Sequence, residues 1–340
     1  MNCAFRNITI KGIQAVAPKN IVYNSEYSEQ LGERRCKKQI KITGVSQRHI
    51  SPEGQHSVDL VEIAARTLMC EIGWSPNEVD VLVFLTQSAE FDIPSTAFYL
   101  QHVLGIPSKC VTFDVNLGCT GVVEGIQIVS SMLQQCAGIG KGLVLVADAN
   151  SLKNINECSA DELADSMLFG SAGVCIALEK NDAVMNEMYI SNFSDGSRYD
   201  ALITPKGGVM RMDGPAIFDF GVNEVARDLI EFKKCYGITD EMVDFYSFHQ
   251  AQKLMLDTIV DSCYIPEEKE LRSISEYGNT SGASVALNYC HNVDKLSSYS
   301  KINTVMCGFG VGLSWAYLYT CIDSQCVRPV LFTDEYREKK

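Results

Sequence analysis

Residues 110–133, CVTFDVNLGCTGVVEGIQIVSSML, predict a short buried strand, a tight glycine-containing turn and an amphipathic helix. Cys119 stands where the turn meets the helix, and there unpaired backbone N–H groups and the helix dipole favour a thiolate over a thiol. After the turn, apolar residues recur at helical spacing: Val122, Val123, Ile126, Val129 and Leu133. Taken alone, Cys119 is more simply explained as a buried core residue, one of 14 cysteines.

The composition limits the possible classes of function. The chain has 340 residues, 46% of them hydrophobic, which is enough for a large core and for two fused units. The formal net charge of −13 argues against a nucleic-acid partner and gives no attraction to anionic membranes. No apolar run approaches the ~18 residues that span a bilayer, and the N-terminus lacks a signal-peptide core. Cysteines without regular spacing or a CxxC pair predict reduced thiols in the cytoplasm, and neither disulfides nor a metal site.

The second half of the chain repeats the first. GWSPNEVDVLVFLTQSA (73–89) resembles GITDEMVDFYSFHQAQ (237–252), with a turn, acidic residues, a shared Val-Asp and an apolar strand. Three further pairs match: the strand-turn-helix around Cys119 with Leu271–Leu287, Leu143–Ala149 with Ile302–Cys307, and Ala172–Leu178 with Leu313–Tyr319. This pattern predicts two similar α/β units, residues 1–182 and 183–340, packed as a pseudo-dimer with the active site at their junction.

Two elements near the N-terminus can also be predicted. The alternation of Arg6–Ala15 predicts one strand, and the stripe in Ser57–Ile72 predicts a helix with Ser57 as its N-cap. Between them lies a basic run, ERRCKKQIK (33–41), whose cations Arg34, Lys37, Lys38 and Lys41 share one helical face. A solvated face and a docking patch for an anionic group explain this run equally well.

Two later segments give Cys119 possible partners. His249 stands at the carboxyl end of the strand in DFYSFHQAQ, where catalytic groups gather in open α/β sheets. Asn279 lies in YGNTSGASV, at the repeat counterpart of the turn that carries Cys119. If the halves pack about a pseudo-twofold axis, Cys119 and Asn279 face each other across it and His249 joins them. The set then comprises a nucleophile, a base or donor, and a neutral hydrogen-bond donor.

At these residues the chain resembles β-ketoacyl-acyl-carrier-protein synthase III, of the thiolase superfamily. The resemblance rests on Cys119 in DVNLGCTG, His249 in FHQAQ, Asn279 in YGNTSGAS and the glycine-rich GFGVGLSW (308–315). Four more segments match in the same order, and together they cover nearly the whole chain: GVSQRHI (44–50), Pro94-Ser95, FGSAG (169–173) and MDGPAIF (212–218).

The resemblance implies a thiolase-like αβαβα fold, a homodimer, and substrates attached to coenzyme A or acyl carrier protein, with no metal or redox cofactor. Cys119 would accept an acyl group from a thioester. His249 and Asn279 would hold a malonyl thioester carbonyl as CO2 leaves, and the carbanion would attack the acyl-Cys119. The backbone N–H groups of Cys119 and Val311 would hold the oxyanion of the acyl transfer.

The chain differs from the family at positions that contact coenzyme A and the acyl chain. Lys38 replaces an adenine-stacking tryptophan, Gln252 an asparagine, and Ile93 the aromatic gate of the acyl pocket. Lys37, Lys38 and Lys41 are therefore candidates to meet a phosphopantetheine phosphate or the acidic helix of a carrier protein. Ile93 is a candidate to admit a longer acyl chain, and the other candidate substrate contacts are Gln252, Lys253 and Phe218.

Other functions fit less well. A papain-like protease also uses cysteine, histidine and asparagine, but the sequence around Cys119 lacks that signature. Acyl transfer to a hydroxyl or amine without decarboxylation keeps the same residues and stays an alternative. An inactive partner subunit is the non-enzymatic alternative, against which the intact set of three residues argues.

Overall fold

The computed structural model describes residues 1–138, 140–150, 160–183, 185–206 and 208–337. Two six-stranded sheets dominate these residues. The first contains β2 (Ile8–Pro18), β5 (Val81–Leu85), β6 (Val111–Val115), β7 (Lys141–Asp148), β8 (Ala172–Lys180) and β16 (Leu331–Thr333). The second contains β1 (Asn2–Arg6), β9 (Glu187–Ser194), β12 (Phe245–Phe248), β13 (Glu270–Leu271), β14 (Lys301–Gly310) and β15 (Ser314–Asp323). Two short pairs, β3 (Ile21–Tyr23) with β4 (Gln47–His49) and β10 (Leu202–Ile203) with β11 (Arg211–Met212), lie outside them.

The two sheets have the same strand order. The first runs β16-β2-β8-β7-β5-β6 and the second β1-β9-β15-β14-β12-β13. In the first sheet β7, β5 and β6 are parallel to one another, and in the second sheet β14, β12 and β13 are. In the first sheet β8 then pairs antiparallel with both β7 and β2, and in the second β15 pairs antiparallel with both β14 and β9. The matched segments of the sequence occupy equivalent strands, which confirms the predicted repeat.

Helices cover the sheets in three layers. Between the sheets lie α5 (Gly121–Gln135) and α11 (Ser284–His291), which share one apolar core with both sheets. The outer face of the first sheet carries α3 (Ser57–Glu71) and α4 (Thr96–Leu104). The second sheet carries α7 (Gly214–Phe220), α8 (Ala226–Cys235) and α9 (Lys253–Ser262). The remaining helices are α1 (Ser28–Leu31), α2 (Glu33–Thr43), α6 (Ala160–Ser166), α10 (Ile274–Tyr277) and α12 (Val293–Leu296).

This layering explains the apolar runs in the sequence. In β5, alternate side chains face the central helices and the outer helices, so all five residues are buried. The apolar stripe of α5, from Val122 to Leu133, is completely buried between the sheets. The predicted αβαβα fold is thus confirmed.

Three local predictions are wrong. The strand before Cys119, predicted to be buried, is β6 at the edge of its sheet, where only Thr112 is buried and Val111 is 46% exposed. The segment predicted as one strand, Arg6–Ala15, spans two strands of different sheets, because Asn7 has φ = 62° and breaks the extended chain between β1 and β2. Ser57 is the first residue of α3 and not its N-cap, a position held by His56. The terminal strands also cross between the halves, since β1 lies in the second sheet and β16 in the first. The division at residue 182 stays a prediction.

No helix among the described residues is long and apolar enough to cross a membrane.

Candidate active site

Cys119 lies in the turn between β6 and α5, two residues before the helix begins. Strand β14 of the other half passes so close that a methyl group on Gly310 would lie 2.6 Å from Cys119 Sγ. A methyl group on Gly308 would lie 2.8 Å from the Cys119 carbonyl oxygen. Gly308 is therefore required by the close approach of two backbones, and Gly310 leaves room for the Cys119 side chain.

The turn that carries Cys119 touches the turn that follows Asn279. A methyl group on Gly282 would lie 2.4 Å from the Gly118 carbonyl oxygen, and one on Gly118 would lie 3.1 Å from Ser281 Oγ. The predicted meeting of these two turns is confirmed, and it places the catalytic candidates of both halves at one point.

Burial controls the protonation of Cys119. It raises the pKa of the thiol to about 11, although the Val311 N–H, which bonds the sulfur, lowers the pKa and the buried Asp148 carboxyl raises it further. The sequence predicts that the start of the helix favours a thiolate, but burial outweighs that effect and raises the pKa. This prediction is therefore wrong. At neutral pH Cys119 is a thiol, and a base must remove its proton before it can attack.

Asn279 is held rigidly by its backbone. Its N–H donates to the Leu168 carbonyl (2.8 Å), and its own carbonyl accepts from the Gly170 N–H (3.0 Å). Its side-chain Oδ1 accepts from the Ser281 N–H at 2.9 Å. This bond fixes the amide orientation and leaves Nδ2 as a donor with no partner among the described residues.

His249 follows β12 and is 2% exposed. Its Nδ1 lies 3.1 Å from the Ser281 carbonyl oxygen and 2.8 Å from Ser284 Oγ. When Nδ1 carries the proton, it donates to the carbonyl oxygen and Nε2 has a free lone pair. Burial lowers the pKa of His249 to about 4, so the ring is neutral at pH 7. In this tautomer the neutral ring can act as a base at Nε2, and the role of His249 in holding the malonyl thioester stays a prediction.

One cavity of about 480 Å³ joins several of the candidates. Cys119, Asn279, Ser281 and Val311 all line it. His249 contacts the same turn through the Ser281 carbonyl, and its ring lies nearly perpendicular to that of Phe309 at a centroid distance of 5.5 Å. The structure thus brings together Cys119, Asn279 and the Val311 N–H, and connects His249 to them through Ser281.

The predicted substrate contacts lie outside this cavity. Lys37, Lys38 and Lys41 are exposed on α2. Lys253 is exposed at the start of α9, beside the end of α2, where a methyl group on Gly44 would lie 2.5 Å from Lys253 Cβ. Gln252, directly before α9, is half-buried, Phe218 packs against the core of the second sheet, and Ile93 is 89% exposed.

The sequence reasoning missed several residues of the cavity wall. The hairpin formed by β10 and β11 contributes Leu202, Ile203 and Met210, and the first half contributes Gln87, Asn116 and Asp148. Two of them could have been found, since Gln87 and Asp148 stand at the carboxyl ends of β5 and β7. The sequence of the β10–β11 hairpin has no pattern that indicates a place in the cavity wall.

Comparisons with known proteins agree with this architecture. Residues 234–320 match the family described as 3-oxoacyl-[acyl-carrier-protein (ACP)] synthase III C terminal. The β-ketoacyl-[acyl-carrier-protein] synthase III of Streptococcus pyogenes is 30% identical over 295 residues, covering 81% of this chain and 87% of the relative. That of Clostridium perfringens is 28% identical, covering 91% and 97%. A 3-oxoacyl-(acyl-carrier protein) synthase from Burkholderia xenovorans LB400 has a crystal structure with a TM-score of 0.91 at 27% identity, covering 98% of this chain and 99% of that chain.

The five-layer fold, with a cysteine at its central turn, defines an acyltransferase of the thiolase type. Within that superfamily, the chain belongs to the β-ketoacyl-acyl-carrier-protein synthase III family of condensing enzymes.

We predict that His249 makes folding stability depend on pH. The pKa is about 4 in the folded protein and near 6.5 in the unfolded chain, so the unfolded state binds more protons between these values. Stability should fall as the pH drops from 6.5 to 4, by about 3 kcal/mol from this group. Urea unfolding at fixed protein concentration should show a shallower pH dependence for His249→Gln than for the wild type. The exposed His102→Gln is the control, and equal profiles for His249→Gln and the wild type would contradict the assignment.

We also predict slow alkylation of Cys119. Its rate with iodoacetamide should rise about tenfold per pH unit between about pH 7 and 10, because only the thiolate reacts. Asp148→Asn, which removes a neighbouring negative charge, should accelerate the reaction at each pH. Peptide mass spectrometry measures the rate, with the exposed Cys136 as internal reference. A plateau near pH 7 would show that Cys119 is a thiolate at rest.

Proposed function

We propose that this enzyme loads an acyl group from a thioester onto Cys119 and condenses it, with loss of CO2, with a malonyl thioester. The product is a β-ketoacyl thioester for fatty-acid-like or polyketide-like synthesis. The main support is the convergence of Cys119, the Val311 N–H and the unpartnered Nδ2 of Asn279 on one cavity, with a neutral His249 in contact with the Ser281 carbonyl.

The acyl transfer begins with the removal of the proton from the Cys119 thiol. In our proposal, Nε2 of His249 accepts the proton of Cys119 as the sulfur attacks the thioester carbonyl carbon, because pKa values of about 11 for the thiol and about 4 for the ring disfavour a separate ion pair. The N–H groups of Cys119 and Val311 stabilise the resulting oxyanion, a contribution of about 3–4 kcal/mol for one such donor. The carbon–sulfur bond to the donor then breaks, and the departing thiolate takes the proton from Nε2.

The condensation step needs hydrogen-bond donors, whereas the acyl transfer needs a base. Nδ2 of Asn279 and, once protonated there, Nε2 of His249 hold the malonyl thioester carbonyl as an enolate while CO2 leaves. Ser284 makes possible this second tautomer, with the proton on Nε2, because its hydroxyl can donate to Nδ1. The Ser281 carbonyl then still accepts a hydrogen bond from the Ser284 N–H. The ring reaches this tautomer by exchange with water and stays neutral, as its low pKa requires. The carbanion attacks the acyl carbon, and the released Cys119 thiolate takes a proton from water.

The partners in this proposal are acyl carrier protein, acyl-coenzyme A and a second copy of the chain. Strand β6 is the edge of its sheet, and Val111 on it is 46% exposed, so its free backbone groups can pair with the same strand of a partner. We place the enzyme in the cytoplasm, because all 13 cysteines within the described residues are unpaired. No cofactor beyond the pantetheine-linked substrates is needed.

The direct test is intact-mass spectrometry after incubation with acyl-coenzyme A and acyl-carrier-protein donors. We expect one acyl adduct on the wild type and on Cys136→Ala, and none on Cys119→Ala. Addition of malonyl-carrier protein should discharge the adduct and release CO2. Discharge without CO2 would favour transfer to another acceptor, and no adduct from any donor would refute the proposal.

We predict that the basic face of α2 binds the carrier protein. Its cations are exposed, and among the described residues Lys38 and Lys41 have no ion-pair partner, while Lys37 pairs only with Glu33 (2.5 Å). Changing Lys37, Lys38 and Lys41 to Glu should lower kcat/KM for carrier-bound substrate about tenfold by slowing association. Turnover of pantetheine thioesters should not change.

The control for this prediction reverses three exposed lysines elsewhere, Lys109, Lys234 and Lys301, and so produces the same net charge. Equal losses in both triple variants would mean that overall charge, and not the face of α2, governs association.

A further inference from the structure

The cavity contains two amide side chains that bond nothing within the described residues. Gln87 and Asn116 both line it, and both are exposed. Neither side chain makes a hydrogen bond to any described residue. Their donors and acceptors therefore face the space that a substrate occupies.

Gln87 is close to the nucleophile. A methyl group on Gly118 would lie 2.2 Å from Gln87 Oε1, so the amide rests directly over the residue that precedes Cys119. The Gln87 backbone is fixed, because its N–H donates to Asp148 Oδ1 at 2.8 Å. The side chain thus projects from a fixed backbone and lines the same cavity as Cys119.

Asp148 and Asn150, two other polar residues of the wall, are already engaged. Asp148 Oδ1 also accepts from the hydroxyls of Thr86 and Ser88, both at 3.1 Å. Asn150 Nδ2 donates to the Gly170 carbonyl at 2.8 Å. These hydrogen bonds hold the wall together, whereas the amide of Gln87 makes none within the described residues and is available to a ligand.

We infer, building on the proposed function, that the acyl group loaded onto Cys119 carries a hydroxyl or amino substituent on its second or third carbon, and that Gln87 binds this substituent. An unsubstituted hydrocarbon chain would strip water from the amide without replacing its hydrogen bonds, whereas a hydroxyl replaces them. A site built to bond a polar group discriminates strongly against the analogue that lacks it. Gln87 is then a specificity-determining residue, with Asn116 completing the polar side of the cavity.

The test uses pantetheine thioesters of butyric, 2-hydroxybutyric and 3-hydroxybutyric acids, with both enantiomers of each hydroxy acid. Intact-mass spectrometry gives the rate of Cys119 acylation by each thioester. We expect the wild type to load one hydroxyacyl group at least about tenfold faster than butyryl. Gln87→Leu should abolish this preference by slowing the hydroxyacyl reaction and not the butyryl reaction. Gln87→Asn should lie between them, and Gln135→Leu, at the exposed end of α5, should behave as the wild type.

Each outcome has one meaning. Butyryl loading as fast as hydroxyacyl loading by the wild type would overturn the polar-substituent inference and leave the proposed function intact. A preference that survives in Gln87→Leu would overturn the role of Gln87. A Gln87→Leu variant that changes only the KM for malonyl thioester would also overturn it. Failure of every thioester to acylate Cys119 would refute the proposed function and the inference together.

Discussion

The contact between the turns around Gly118 and Gly282 is the constraint on which this structure depends. The Gly282 position approaches the Gly118 carbonyl so closely that no side chain fits between them. Helices α5 and α11 start from these two turns and fill the layer between the sheets. The contact that joins the halves therefore also places Cys119 opposite Asn279, and disturbing it affects the core and the active site together.

Much of the fold could be predicted because its signals are local. The buried strands and the stripe of α5 are visible as apolar patterns, and the repeat shows which strands are equivalent. The strand break at Asn7 was missed because a left-handed residue within an alternating pattern leaves that pattern unchanged. The crossing of β1 and β16 between the sheets was missed because it depends on long-range pairing.

The site was only partly predictable, for a different reason. Cys119, His249 and Asn279 stand out because each ends a strand or occupies a turn of the repeat. Their protonation states do not follow from the sequence, since burial decides them: it raises the pKa of Cys119 to about 11 and lowers that of His249 to about 4. Both shifts favour the uncharged form, so the site at rest holds a neutral acid and a neutral base. Charge then develops during the reaction, where the fixed backbone N–H groups can stabilise it.

The same reasoning separates the residues that can vary from those that cannot. Gly282 and Gly308 hold two backbones in contact, so a change at either of them costs folding free energy. The exposed side chains of Gln87 and Ile93 hold no two backbones together, so we expect changes there to cost less folding free energy. The proposed bond-forming chemistry is tied to the architecture, whereas the substrate choice that we infer for Gln87 depends on a side chain that bonds no described residue. A condensing enzyme built in this way can acquire a new acyl substrate by replacing one residue such as Gln87, while its catalytic turns remain unchanged.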